Sequence, residues 1–241
     1  MPALNRPHHG FTLVEMAVVL LIVTLLGGGI ATGLSAHLAR RAEAATDDAL
    51  TEARDALLGY AMRTGNLPCP ARSATDGAED RSGTTTCRKY TGLLPWATLG
   101  IAGLDGWAHR LRYAVAQKYV APLGGTGNTE KVSLADGDIE IKTRSLDGSE
   151  LFLTTEGGKS PALLLSHGAN GLGAIDAQGV ALAPPMAGSD EARNAAADAR
   201  LFYSRGVSEN PTAPGGAFDD RVTWLSPNLV AHRLVSAGRL P

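Results

Sequence analysis

The chain has 241 residues and a formal net charge of −2, from 22 Lys and Arg against 24 Asp and Glu. That balance gives no general affinity for polyanions, and 44% hydrophobic residues exclude a disordered chain. Aromatic residues at 5%, with 29 Gly and 13 Pro, describe a loop-rich body whose core is mostly Ala, Leu and Val.

Residues 1–10 carry Arg6, His8 and His9 but no acid. Gly10-Phe11-Thr12-Leu13-Val14-Glu15 then opens the chain's long apolar run, in which Glu15 is the one charge between Phe11 and Leu34. Roughly 20 apolar residues suffice to cross a bilayer. A carboxylate inside such a run is costly unless paired, which marks Glu15 as functional. A secretory signal peptide would need a small-residue cleavage site, and Gly29-Ile30-Ala31 offers one. An acid so near the start of the apolar segment argues against that reading. Arg40 and Arg41 follow the run while only Arg6 precedes it, so charge counting alone does not orient the segment.

Gly27-Gly28-Gly29 and Gly33 interrupt the run. Each interior glycine weakens a helix by about 1 kcal/mol relative to alanine, so they are either tolerated membrane glycines or a weak point. Leu34, Leu38, Ala42, Ala45, Ala49, Ala53, Leu57 and Tyr60 continue at spacings of three and four, the mark of one apolar helix face. Gly65 and Pro68, with Arg63 in the last turn, terminate it.

From Leu67 the pattern becomes short strands and turns. Leu111 to Val115 alternates and continues toward Val120; Ile139 to Lys142 alternates more strictly; Glu150 to Leu153, Ala162 to Leu165 and Arg221 to Leu225 are further strands. Asp147-Gly148 is a hairpin signal. Pro122 to Asn128, Gly157-Gly158, Gly168 to Gly173 and Pro211 to Gly216 read as loops. Ala183 to Ala197 is small and polar and reads as partly mobile, and Asn228 to Ala237 as a short C-terminal helix with Pro227 near its start. A long helix followed by a mainly antiparallel sheet is an α+β arrangement.

Catalytic readings fail on spacing. Ser166-His167 has Leu164, not glycine, two residues before the serine, so no nucleophile elbow is present; a polar turn after a strand suffices. His8, His9, His37, His109, His167 and His232 form no i, i+4 pair, and no transition-metal site is expected. Between Arg81 and Lys118 there are six basic residues, Arg81, Arg88, Lys89, Arg110, Arg112 and Lys118, against Asp105 alone. That run could form a basic patch for DNA or pair subunits with one another. Trp96 and Trp107 beside it read as core anchors rather than base-stacking platforms.

A short basic leader, glycine, phenylalanine and a glutamate five residues into the remaining chain closely resemble the type IV pilin and pseudopilin signal. Less sharply, Asn66-Leu67-Pro68-Cys69-Pro70, Cys87, Gly92 to Trp96, Asp105-Gly106-Trp107 with Tyr113, and Ser166-His167-Gly168-Ala169-Asn170-Gly171 resemble the bodies of that family. The resemblance implies a leader at residues 1–10, cleavage by prepilin peptidase between Gly10 and Phe11, and N-methylation of Phe11. It further implies a membrane-spanning and filament-core helix over 11–34, its amphipathic continuation over 35–65, and a pilin-like periplasmic body over 66–241. The function it implies is a structural, non-enzymatic subunit of a type IV pilus or type II secretion filament. Its partners would be the peptidase, other pilin subunits and the inner membrane. Glu15 would be the assembly contact. A membrane-anchored binding module for DNA or another ligand is the alternative, although a nucleic-acid partner is not expected. No cofactor is required, but major pseudopilins bind calcium, and Asn170, Asp176, Asp219 and Asp220, with Asp198, are candidate oxygen donors. In an exported body the two cysteines, Cys69 and Cys87, suggest a disulfide across a polar loop; two sulfurs alone make a poor zinc site.

Overall fold

The structure is a computed structural model that describes residues 11–122, 137–154 and 159–239, with the side chains of 25–34 left out. The expected leader with Gly10, the loop residues 123–128 and the Gly157-Gly158 turn lie outside the described residues. Two compact units divide the chain, Met1–Arg41 and Ala42–Pro241. The first helix, α1, covers Leu13–Thr64 and is helical through Gly27–Gly29 and Gly33. It stops where expected: Gly65 takes φ 79°, and its N–H donates to the Ala61 carbonyl.

In the second unit, the buried face of α1 is formed by Thr46, Leu50, Ala53, Leu57, Leu58, Tyr60 and Ala61. This corrects the stripe read from the sequence: Ala45 is exposed and Ala49 only half-buried, whereas Leu50 is in the core. The larger side chains choose the face, because burial scales with apolar area and not with spacing alone.

A four-stranded antiparallel sheet runs in the order β1 (Thr91–Leu93), β2 (Arg112–Val115), β5 (Ala162–Ser166) and β7 (Arg221–Leu225). Alternation along its strands builds two cores. Tyr113, Val115, Ala162 and Leu164 point to one side, with Leu50, Leu57 and Ala61 of α1 and with Val230 and Leu234 of α4 (Pro227–Ser236). Ala114, Leu163 and Leu165 point to the other, with Ile139, Ile141 and Phe202. Every residue of β5 is buried because that strand is covered on both faces. The second cover is a three-stranded sheet ordered β4 (Glu150–Phe152), β3 (Glu140–Arg144), β6 (Leu201–Tyr203). β3 and β4 form the expected hairpin, with Gly148 at φ 87°. β3 and β6 are parallel, an exception to the antiparallel pattern that the intervening crossover through β5 permits.

Two segments differ from expectation. The strand at Leu111 does not reach Val120: after β2 the chain turns into a 3-10 helix over Gln117–Val120, burying Tyr119 and Val120. Nor is the 183–197 segment merely a small polar stretch. It holds the short helix α3 (Asp190–Asn194), capped by Ser189 accepting from the Ala192 N–H, with Asp190, Glu191 and Asn194 buried.

Cys69 and Cys87 form a disulfide with Cα atoms 5.5 Å apart. The loop they close has a second anchor. The Arg81 guanidinium donates to Glu79 at 2.7 Å and to the carbonyls of Leu67 and Val120, while Glu79 accepts from Tyr60 Oη and the Cys69 N–H. Burial and the neighbouring Glu79 carboxylate raise the Tyr60 phenol above its ordinary value.

Candidate functional site

The carboxylates named from the sequence part into two groups. Asp219 and Asp220 stand just before β7, and Asn170 lies in the turn after β5. They converge on Glu191 of α3, a residue the sequence reading did not single out. One carboxylate oxygen from each of Glu191, Asp219 and Asp220 lies within 4.8 Å of the others. Asn170 ties them: its backbone N–H donates to Asp219 Oδ2 at 2.8 Å and its Nδ2 to Glu191 Oε1 at 3.0 Å. The Asp219 N–H donates to the same Glu191 oxygen. Gly168 makes room for this approach, since with φ 61° a Cβ there would meet Asp219 Oδ1 at 2.5 Å. Asp176, by contrast, accepts from the N–H groups of Gln178 and Val180 within its own turn, and Asp198 is exposed; neither joins the cluster.

Among the described residues the cluster has no directly paired Lys or Arg, although the Arg112 guanidinium feels the Asp220 charge. Glu191 and Asp220 are buried, and among the described residues no Lys or Arg forms an ion pair with any of the three. Asp220 has the buried His167 Nδ1 at 3.3 Å and accepts from Asn194 Nδ2, yet its Oδ1 and Asp219 Oδ1 have no hydrogen bond. Burial pushes the carboxyls of Glu191 and Asp219 up from their ordinary range. All-oxygen, acidic and with open acceptor atoms, the residues suit a hard divalent cation.

The neighbouring polar residues are structural. Ser166 Oγ donates to Asp105 Oδ2 at 2.6 Å, and Asp105 Oδ1 accepts from the N–H groups of Trp107 and His109, so Asp105 organises a turn. Four of the six basic residues are engaged by neighbouring groups, while Lys89 is exposed. Arg81 is engaged by Glu79, Arg88 by Asp80, Arg110 lies 3.9 Å from the Trp96 ring, and Arg112 donates to the Ala196 carbonyl. Trp96 and Trp107 are half-buried, not core.

In the first unit, the Glu15 N–H donates to Thr12 Oγ1 at 3.2 Å, and Thr12 N–H and Oγ1 approach Glu15 Oε2 at 3.4 Å. This is a capping box: Thr12 caps α1 and Glu15 stands at its third position. Phe11, Leu13 and Val14 around it are exposed. Residues 5–31 match a family model described as the prokaryotic N-terminal methylation motif. That motif is the type IV pilin/pseudopilin signal. No curated protein and no solved structure matches the chain. The match, confined to residues 5–31, supports a pilin-like N-terminus of the kind that prepilin peptidase processes.

The Glu15 carboxylate is not without a partner in the single chain, because Thr12 meets it. The Thr-x-x-Glu spacing was readable in the sequence as a helix start. Among the described residues no helix is long and apolar enough to cross a membrane. The side chains of 25–34, which make up much of the expected span, lie outside the description.

Proposed function

We propose that this protein is a minor pilin or pseudopilin, a structural subunit of a type IV pilus or type II secretion filament. The N-terminal signal with Glu15 five residues after the Gly10-Phe11 junction is the observation that carries the reading. In it, residues 1–10 are the leader, 11–34 the membrane and filament-core helix, 35–65 its amphipathic continuation and 66–241 a periplasmic body. The subunit waits in the inner membrane as a single-pass protein; cleavage then exposes the Phe11 amine, which is methylated. Mass spectrometry of the mature protein tests this directly. The expected N-terminus is methylated Phe11, and one near Thr32 would instead mean an ordinary signal peptide and overturn the reading.

The acidic cluster supports a second, separable proposal. Glu191, Asp219 and Asp220, with Asn170 at the rim, hold a calcium ion that neutralises their charge and clamps α3 to the start of β7. Its role is structural, stabilising the body before and during assembly. Calcium titration monitored by thermal unfolding of the purified full chain checks it; a melting temperature indifferent to calcium and to chelator would reject it.

A further inference from the structure

A cleft of about 410 Å³ lies between the Asp47–Arg54 stretch of α1 and the chain from Ser204 through β7. Three arginines line it: Arg54, Arg205 and Arg221. Two of them are neutralised. Arg205 Nε donates to Asp190 Oδ2 at 2.9 Å, and Arg221 reaches Asp47 at 2.8 Å and Glu43 at 3.6 Å. Among the described residues Arg54 has no such partner. The helix positions three and four residues to either side of it are Leu50, Thr51, Leu57 and Leu58, so α1 supplies no acid within one turn of it. Among the described residues its half-buried guanidinium makes no hydrogen bond, and Nε is shielded from solvent without an acceptor.

The remaining wall is rich in donors. The hydroxyls of Thr51, Ser204 and Thr223 line the same cleft, and none is hydrogen-bonded to another described group. Of the cleft's two carboxylates, Asp47 is paired with Arg221, while Asp220 accepts from Asn194 through Oδ2 and its Oδ1, 3.3 Å from His167 Nδ1, has no hydrogen bond among the described residues. An unpaired arginine fork beside open hydroxyls, in a concave site where Arg205 and Arg221 already have carboxylate partners, is complementary to an oxyanion.

We propose that this cleft binds a carboxylate- or phosphate-type oxyanion, held by the Arg54 fork and the hydroxyls of Thr51, Ser204 and Thr223. The site is independent of the pilin reading and would serve either a free small anion or an acidic side chain presented by a neighbouring protein. Propionate stands in for the acidic side chain and inorganic phosphate for the free tetrahedral anion.

The test uses the mature full chain in detergent, titrated with each probe against sodium chloride at matched ionic strength and followed by thermal unfolding. Saturable stabilisation beyond the chloride control is expected for at least one probe. A preference for propionate points to an acidic side chain, and one for phosphate to a free anion. Arg54→Gln should weaken binding about tenfold, the usual scale of a lost charge-assisted contact. Arg54→Lys should lie between, since it keeps the charge and loses the fork. Should Arg54→Gln fail to fold, Thr223→Val serves in its place and should also weaken binding. The proposal is overturned if the response never exceeds that of chloride. It is equally overturned if the folded variants respond as the unmodified chain does.

Discussion

On the proposed reading, Thr12 and the free amine that cleavage would create at Phe11 would compete for the Glu15 carboxylate. In the single chain the carboxylate closes a helix cap at 3.4 Å, long for a hydrogen bond and so readily exchanged for a stronger, charged partner. On this basis Glu15→Ala should still insert and be cleaved, but enter filaments poorly. Thr12→Ala should leave filament incorporation nearly unchanged. Equal losses in the two variants, measured as the fraction of subunit co-purifying with filaments, would reduce Glu15 to a capping residue. A subunit confined to the filament tip would be exempt, having none ahead of it. The buried acids make a second prediction. Glu191 and Asp219 are raised in the folded state, so folding favours their protonated forms. Their contribution is full below the ordinary carboxylate range of about 4 and is lost as pH rises through the raised values. In chelator the melting temperature should therefore fall across that interval. Saturating calcium should reverse the fall, by several degrees at about 100 times the dissociation constant. Asp219→Asn should blunt both effects.

The contact between α1 and the body is set at Gly106. A Cβ at that position would stand 2.0 Å from the Ala42 carbonyl oxygen, and the Gly106 N–H donates to Thr46 Oγ1 at 3.0 Å. Gly106→Ala should force the helix away and destabilise the body by about 1–3 kcal/mol, read from urea melts. Asp190 fastens α3 to both β3 and the chain after β6. Its buried carboxylate accepts from Arg144 at 2.9 Å and from Arg205 at 2.9 Å. Asp190→Ala leaves Arg205 with the Gly216 carbonyl and Arg144 with Glu150 and the Gly148 carbonyl, and should destabilise by about 3 kcal/mol, with the same readout. The disulfide loop is held twice, covalently and by the Glu79–Arg81 pair. Cys69→Ser should therefore loosen residues 70–86 toward protease without unfolding the rest, and adding Arg81→Ala should release them much further.

At the scale of the whole molecule, the N-terminal signal and the body call for different surroundings. Phe11, Leu13 and Val14 are exposed apolar residues, and these, with the run that follows, need lipid or other subunits. The second unit buries its own two cores. The proposed subunit would therefore exchange lipid for neighbouring helices on assembly, while the body keeps its fold. Hydrogen exchange on membrane-held and filament-held protein should show protection changing mainly in residues 11–41, with the Ala162–Ser166 strand protected in both.

Much of this was local and so legible in the chain itself. The N-terminal methylation motif, the helix stop at Gly65, the Asp147-Gly148 hairpin, the strand at Arg221 and the Cys69–Cys87 pair each depend on a few neighbouring residues or on an even cysteine count. The buried face of α1, the parallel β3–β6 pair and the burial of β5 on both sides were decided by tertiary packing, because periodicity names an apolar stripe but not what covers it. The acidic cluster shows the same division. Asn170, Asp219 and Asp220 were visible as oxygen donors, but Glu191 lies in a small polar stretch that reads as loop. Only the fold brings α3 to the start of β7, where burial makes three separate carboxylates one electrostatic site.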